Sequence, residues 1–167
     1  WRNSFSLIWF SLVWFCNEIW QSVKQQHPDI KLYIVGKKPD VRLKEIADKD
    51  NQIILTGFVE KVEPYFQKSR IFITPLRFGS GIKVKVVNAL YRGIPCVTTS
   101  IGTEGLKVKD GEDIFIKDNA AEYADAINTL LTDKNCWQRL SENSRAIATK
   151  YYTWNYVLEN IEKAIES

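Results

Sequence analysis

The stretch RIFITPLRFGSGIKVKVVNALYRGIPCVTTS, residues 70–100, carries the pattern that decides the fold. Two short apolar runs, Arg70–Pro75 and Pro95–Thr99, flank a segment with helical spacing of its apolar residues, Gly81–Arg92. Short continuous apolar strands separated by helices are typical of a parallel sheet that is covered on both faces. The stretch therefore predicts a strand–helix–strand unit with a right-handed crossover.

The same alternation extends to both sides of this unit. Further strands are predicted at Ile30–Gly36, Gln52–Gly57 and Ile114–Ile116, and helices at Ser4–Gln26, Val41–Asp48, Val62–Lys68, Ala120–Thr132, Lys134–Lys150 and Trp154–Glu166. This order predicts an α/β fold with a doubly wound, Rossmann-like parallel sheet and helices on both faces. Because no strand precedes the first helix, we expect one more strand upstream of Trp1, in a longer polypeptide.

Composition indicates one globular domain and argues against several classes of function. The 167 residues are 45% apolar and 26% charged, which is unlike a disordered chain. A net charge of +3 is too small to indicate a nucleic-acid-binding protein. Cys16, Cys96 and Cys136 form no CxxC pair, so they predict neither a metal site nor a disulfide framework, and they favour a reducing compartment. The apolar run Phe5–Cys16 is shorter than the roughly 20 residues of a membrane span and is predicted to be part of a buried helix.

Glycines follow several of the predicted strands at the edge where ligands of such sheets bind. Gly79-Ser80-Gly81 lies between a predicted strand and a predicted helix, where glycine lets a ligand approach the backbone and free amides favour an anion. Arg77, Lys83 and Lys85 add positive charge nearby. The loop therefore predicts an anion site, with the alternative that the two lysines are only solvated charges.

Two neighbouring loops have structural interpretations that we favour from sequence alone. Thr103 and Glu104 could reach the same cleft, but Thr103 or Ser100 as a helix cap, with Glu104 in the first turn, explains them more simply. Gly57–Glu60 could hold a flat base through its backbone, but we prefer the interpretation that it is an ordinary strand exit.

Two other patterns suggest chemistry and are interpreted as structural. Asp48-Lys49-Asp50 is a literal DxD, a pattern of metal-dependent transferases, but it stands beside no other acidic cluster and is interpreted as a solvated loop. His27 precedes Pro28 at the end of a predicted helix, where a capping role is expected.

The motifs GFV, PLR-x-GSG-x-K-x-K, NAL-x-x-G-x-P-CVTT, G-x-EGL and DGEDIFIKD, in this order, closely resemble glycosyltransferase family 4, the group 1 glycosyltransferases. The resemblance spans nearly the whole chain and corresponds to the C-terminal, donor-binding half of a GT-B fold. It implies that residues 1–167 are a nucleotide-sugar-binding domain and that the acceptor-binding N-terminal domain lies outside this chain.

The resemblance further implies a hexosyltransferase-type enzyme of polysaccharide biosynthesis that needs no metal or other cofactor. Such enzymes move a sugar from a nucleotide diphosphate sugar to a glycan or lipid-linked acceptor with retention, and we expect the isolated domain to be inactive. The implied catalytic residues are Arg77 and Lys83, and the implied donor-binding residues are Gly57, Phe58, Val59, Gly79, Ser80, Gly81, Lys85, Asn88, Thr103 and Glu104. We expect a cytoplasmic protein that binds no nucleic acid, with peripheral association at the inner membrane face as an option.

One departure from the family pattern keeps two alternatives open. The family often has Glu, seven residues, Glu, and the aligned positions here are Ser80 and Asn88. Asn88 can still donate and accept hydrogen bonds to a ribose diol, without charge assistance. The alternatives are a catalytically inactive nucleotide-binding or interaction scaffold of the same fold, and a nucleotide-sugar epimerase.

Overall fold

The structure is a computed structural model that describes the backbone of residues 4–153 and the side chains of residues 9–153. The helix predicted at Trp154–Glu166 lies outside the described residues. In chain order the elements are α1 (Ser4–Glu18), α2 (Trp20–Gln26), β1 (Leu32–Val35), α3 (Val41–Asp48), β2 (Ile53–Gly57), α4 (Glu63–Lys68), β3 (Phe72–Thr74), α5 (Val84–Tyr91), β4 (Cys96–Thr98), a 3-10 helix (Ser100–Thr103), β5 (Phe115–Ile116), α6 (Ala120–Thr132) and α7 (Lys134–Tyr151).

All pairs between these strands are parallel, as predicted. Strand β1 pairs with β2, and strands β3, β4 and β5 form a second sheet in that order. In a doubly wound sheet of strand order 3-2-1-4-5-6, the observed strands correspond to the second through sixth, and the first strand would separate β1 from β3. The gap between the two sheets is therefore where the expected upstream strand belongs, and that strand stays a prediction.

Strand β4 is buried on both faces because helices cover both sides of its sheet. Val97 lies in the larger core, which α1, α2 and α6 help to build, whereas the adjacent Cys96 lies in a smaller core with residues of α5 and α7. Both residues are 0% exposed. Burial on two faces explains why this strand has a continuous apolar sequence rather than an alternating one.

The first predicted helix, Ser4–Gln26, is two helices rather than one. The chain leaves helical geometry at Ile19, where φ is −117°. Ile19 is fully buried, and the indole of the following residue, Trp20, donates a hydrogen bond to Asp50 over 3.0 Å. Trp20 thus begins α2 in contact with a residue 30 positions away, a contact that apolar periodicity alone could not reveal.

The apolar run near the start of the chain is only partly buried where its side chains are described: Phe15 and Cys16 are buried, as predicted, whereas Phe10 is 45% exposed. Phe15 is 1% exposed, and its ring packs edge-on against Tyr123 of α6 at a centroid distance of 5.9 Å. Between residues 4 and 153, no helix combines the length and the hydropathy needed to cross a membrane.

Helices α3 and α6 have the predicted bounds, but α5 does not. The helix predicted from Gly81 begins only at Val84. Gly81 has a φ of 77° and Lys83 a ψ of 87°, and both values lie outside the helical region. The prediction that the Gly79-Ser80-Gly81 loop opens the helix directly is therefore wrong, because the loop continues through Lys83.

Candidate functional site

Two loops meet at the carboxyl edge of the sheet that contains β3 and β4. The backbone N–H of Gly81, in the loop after β3, donates to Glu104 Oε2 over 3.1 Å. Glu104 follows β4, so this contact joins residues that are 23 positions apart. The side chain of Ile82 also lies against Gly105. The two loops therefore share one surface, as the strand order predicted.

Buried threonine hydroxyls fix the strand ends beneath these loops. Thr74 Oγ1 donates to Thr98 Oγ1 over 2.7 Å, and Thr98 Oγ1 donates to the carbonyl of Thr74 over 2.9 Å. Thr99 Oγ1 donates to the carbonyl of Leu76. Gly102 packs so closely on Thr98 that a Cβ there would overlap the hydroxyl. The loops thus rest on a base whose threonine hydroxyls are hydrogen-bonded and where Gly102 has no room for a Cβ.

The Gly79-Ser80-Gly81 loop has a backbone that requires glycine and an open side. Gly79 has a φ of 121° and Gly81 a φ of 77°, which side chains with a Cβ rarely adopt. A Cβ at either position would meet nothing within 4 Å. Glycine is thus required by the backbone conformation rather than by crowding, and a ligand has room to approach the amides.

The three predicted cations have different surroundings. Lys83 Nζ donates to the carbonyl of Gly81 over 2.6 Å and lies 3.8 Å from Glu104 Oε2. The Arg77 guanidinium stacks on Trp14 at 4.6 Å from the ring centroid and donates to the carbonyl of Asp118. These contacts bind Lys83 to the glycine loop and tie Arg77 to the protein surface beside it.

Lys85 is the third cation and lies in the first turn of α5. Its side chain is exposed, and within residues 9–153 it has neither a hydrogen bond nor an ion pair. Desolvation by the surrounding protein nevertheless lowers the pKa of its ammonium group. Because no counter-ion lies beside it in the described part of the chain, this ammonium can attract an anion.

The capping interpretation of the loop after β4 is wrong. Ser100–Thr103 forms a 3-10 helix, in which Thr103 Oγ1 donates to the carbonyl of Ser100 over 2.9 Å. Ser100 is itself held by Asp118 Oδ1, which accepts from both its N–H and its hydroxyl. Glu104 ends this helix rather than beginning one, and this position directs its carboxylate toward Gly81.

The strand exit Gly57–Val59 also lies at a carboxyl edge, that of β2. Gly57 has a φ of 68°, and its carbonyl accepts from Gly36 N–H at the end of β1. Phe58 is 71% exposed. No hydrogen bond among the described residues joins this turn to the Gly79–Gly81 loop. The two predicted parts of the donor site are therefore positioned separately, each by the strand that it follows.

The sequence interpretation missed that Arg92 links the backbone of Asn88 to Glu63. Arg92 Nη1 donates to the Asn88 carbonyl over 3.0 Å and approaches Asn88 Oδ1 at 3.5 Å. The same guanidinium makes two bonds to Glu63, of 2.9 and 2.6 Å, and stacks on Phe66. The hydrogen bonds from Arg92 hold the pKa of Glu63 below its ordinary value. The contact between Asn88 and Arg92 could have been predicted from their spacing, because residues four apart lie on the same face of a helix.

The DxD interpretation is half wrong, because Asp50 is not solvated. Its carboxylate is 8% exposed and accepts from Trp20 Nε1 over 3.0 Å, Lys24 Nζ over 2.7 Å and Gln52 N–H over 3.1 Å. Burial raises the pKa of Asp50, but the hydrogen bonds from Lys24, Gln52 and Trp20 outweigh it and leave the pKa below its ordinary value. Asp48 is exposed. Asp50 therefore stabilises the fold, whereas Asp48 is solvated as predicted.

The predicted role of His27 as a helix end is confirmed. It is the C-cap residue of α2, and its backbone N–H donates to the carbonyl of Val23 over 3.0 Å.

Comparison with known proteins identifies the family. The model of the family described as Glycosyl transferases group 1 matches residues 9–133. The chain belongs to this family. The predicted resemblance to group 1 glycosyltransferases is thereby confirmed, and the matched region contains both loops of the candidate site and the Gly57–Val59 turn.

Curated relatives of this group 1 glycosyltransferase chain are longer proteins. Poly(glycerol-phosphate) alpha-glucosyltransferase of Bacillus subtilis (strain 168) is 31% identical over 143 residues, which are 81% of this chain and 21% of that protein. An uncharacterized 44.6 kDa protein in the cps region of Klebsiella pneumoniae is 25% identical over 159 residues, 91% of this chain and 41% of that protein. The chain thus spans about two fifths or less of these relatives.

Solved structures confirm the fold of the group 1 domain. Anabaena Alr3699/HepE, solved in complex with UDP, superposes with a TM-score of 0.76 at 17% identity, over 99% of this chain and 45% of that one. At this identity the likeness concerns the fold alone. It confirms the predicted architecture, a doubly wound parallel α/β domain of the GT-B type.

Proposed function

We propose that the chain is the nucleotide-sugar-binding domain of a retaining glycosyltransferase. The observation that carries the proposal is the open loop Gly79–Gly81, whose Gly81 amide binds a carboxylate beside the Lys83 ammonium. An N–H group and an ammonium that attract a carboxylate also suit a phosphate. The UDP complex of the fold neighbour HepE is consistent with such a ligand.

In the proposed mechanism the protein positions the donor and stabilises the departing diphosphate. Amides of the Gly79–Gly81 loop, together with Lys83 and Lys85, would offset the negative charge that develops as the sugar leaves. Arg77, which stacks on Trp14, would hold the first part of the loop in place. The threonine base beneath the loops would limit their movement, so that little reorganisation accompanies the reaction.

The nucleoside would occupy the neighbouring surface. Asn88 Oδ1 has only a long, 3.5 Å contact with Arg92, so its amide group is available to the ribose hydroxyls. The exposed ring of Phe58 offers a flat apolar face on which a base could stack, next to the Gly57 backbone.

The acceptor is a second part of the proposal. Because the chain spans 41% of its Klebsiella relative, we propose that a further domain binds a glycan or lipid-linked acceptor and that the present chain alone transfers no sugar. Sugar transfer by the isolated 167 residues would contradict this division.

Calorimetry with UDP, GDP and ADP tests the proposed ligand directly. We expect one of the three nucleotides to bind in the micromolar to submillimolar range and the other two to bind more weakly. Absence of binding by all three at millimolar concentration would contradict the proposal.

Lys83→Ala tests the assignment of the diphosphate. We expect this change to weaken binding of the preferred nucleoside diphosphate by about fivefold to tenfold, as for the loss of a charge-assisted hydrogen bond. Binding of the corresponding nucleoside should change less than about twofold, because it carries no phosphate. Lys109→Ala is the matched control, since Lys109 is an exposed lysine paired with Glu112 at 3.3 Å. Equal losses for nucleotide and nucleoside would contradict the role of Lys83.

A second candidate is a nucleotide-binding scaffold without transferase activity. The observation in its favour is that the side chains at positions 80 and 88, serine and asparagine, carry no charge. A protein that binds nucleotide, yet neither transfers nor hydrolyses the sugar in the presence of extracts that contain acceptors, would identify the scaffold. Epimerised sugar formed without any acceptor would instead identify an epimerase.

A further inference from the structure

The carboxylate of Glu104 lies at the predicted anion site of the Gly79–Gly81 loop. Glu104 Oε2 accepts the Gly81 N–H over 3.1 Å and lies 3.8 Å from Lys83 Nζ. The Glu104 side chain is 53% exposed, so its carboxylate stands at the open surface of the loop. A phosphate that approaches Gly81 therefore meets a negative charge as well as the two groups that attract it.

The strength of this repulsion depends on the charge of the arriving phosphate. Two like unit charges about 4 Å apart change a binding constant by about fivefold even in a water-like environment, and by more where water is excluded. The terminal phosphate of a free nucleoside diphosphate carries nearly two charges at neutral pH, because its second pKa is about 6. The same phosphate esterified to a sugar carries only one.

We propose that Glu104 is a specificity-determining residue that disfavours the free nucleoside diphosphate relative to the nucleotide sugar. This inference rests on the proposed function, because it requires the diphosphate to bind at the Gly79–Gly81 loop. The carboxylate penalises the additional charge of the unesterified phosphate, so the leaving diphosphate is released more readily than the donor. Lys83, which the carboxylate partly neutralises, remains available to both ligands.

The position of Glu104 does not depend on its carboxylate for support. The loop is held from below by the buried hydroxyls of Thr98 and Thr99, and from the side by the contacts of Ser100 with Asp118. The substitution Glu104→Gln removes the charge and keeps a carbonyl oxygen that can accept from Gly81. The variant is therefore expected to fold and to leave the loop geometry intact.

Binding of UDP and of UDP-glucose by wild-type protein, Glu104→Gln and Glu104→Ala, measured by calorimetry at pH 8 and low salt, tests the proposal. If calorimetry shows a preference for GDP or ADP, the matching pair replaces UDP and UDP-glucose. We expect both variants to bind both ligands more tightly than wild type does, and the gain for the free diphosphate, which carries about one more charge, to exceed the gain for the nucleotide sugar by about fivefold. Glu112→Gln is the matched control, because it neutralises an exposed carboxylate paired with Lys109 at 3.3 Å, and it should change neither affinity.

Three results would overturn only this inference, and a fourth would contradict the proposed function. Equal changes for the two ligands would show that the carboxylate does not discriminate between them. Weaker binding of UDP-glucose with unchanged binding of UDP would make Glu104 a contact of the sugar instead. Failure of wild-type protein to bind any nucleotide would contradict the proposed function itself, whereas normal wild-type binding with unchanged variants would contradict only this inference.

Discussion

Two carboxylates at opposite edges of the fold show how differently an acidic residue can be used. Asp50 precedes β2 at its amino end, is 8% exposed and accepts three hydrogen bonds. Glu104 follows β4 at its carboxyl end, is 53% exposed and accepts one hydrogen bond, with an ammonium at 3.8 Å. The donors of Asp50 enclose its carboxylate, whereas a ligand could replace Glu104 as the partner of Gly81 N–H and Lys83.

This contrast follows from the polarity of parallel sheets. Their carboxyl ends carry the loops that bind ligands, and those loops must leave polar groups accessible. A buried charge at the other edge must be fully paired, because an unpaired one is costly. Burial and the number of partners therefore distinguish a folding role from a binding role better than the local motif does.

The largest expected effect comes from removing the charge of the enclosed carboxylate. Asp50→Asn should lower the free energy of unfolding by about 2–3 kcal/mol, since Lys24 loses its partner and the amide cannot accept all three bonds equally. Urea denaturation followed by circular dichroism measures this loss. Glu104→Gln should change the same quantity by less than about 0.5 kcal/mol.

The control for Asp50 is the other aspartate of the same motif. Asp48 is exposed, so Asp48→Asn should leave stability nearly unchanged. Similar losses for the two aspartates, or a larger loss for Glu104→Gln than for Asp50→Asn, would contradict the contrast between the edges.

The pH dependence of stability sharpens the same contrast. The pKa of Asp50 is lowered in the folded protein, so its contribution is present above the unfolded pKa near 4 and is lost as the pH falls through the folded value. The difference in unfolding free energy between wild type and Asp50→Asn should therefore be largest near pH 7 and shrink below about pH 4. A difference that grows on acidification would contradict this assignment.

A smaller effect is expected from a methyl group in the open loop. Gly81→Ala should cost about 1 kcal/mol of stability, because φ is 77° there, and should also weaken nucleotide binding about tenfold. Gly111→Ala is a close control, since Gly111 has a φ of 74° and a Cβ there also meets nothing within 4 Å. It should cost similar stability without changing nucleotide affinity, and an equal loss of affinity in both variants would count against the loop as the binding site.

The fold was largely predictable because its signals are local and repeat along the chain. Apolar β-branched runs located all five strands of the described region, and α3 and α6 have the predicted bounds. The break at Ile19 was not predictable because apolar spacing continues across it, and the Trp20–Asp50 bond beside it spans 30 positions. The late start of α5 was missed because the left-handed conformation of Gly81 leaves no trace in apolar spacing.

The candidate site was predictable in its location but not in its pairings. The order of the strands brought the glycine loop and the Glu104 loop to one edge, as expected. The hydrogen bond from the Gly81 amide to Glu104 depends on the 3-10 helix Ser100–Thr103. The sequence there instead predicted a helix cap. The burial of Asp50 and the contact of Arg92 with Glu63 are likewise long-range contacts that local patterns do not encode.

A crystal structure of the protein with a bound nucleotide sugar would show whether the Gly79–Gly81 loop holds the diphosphate. We expect diphosphate oxygens within about 3 Å of backbone N–H groups of this loop, close to the ammonium groups of Lys83 and Lys85. A nucleotide bound elsewhere, with Glu104 still on Gly81 and no phosphate at the loop, would contradict this expectation.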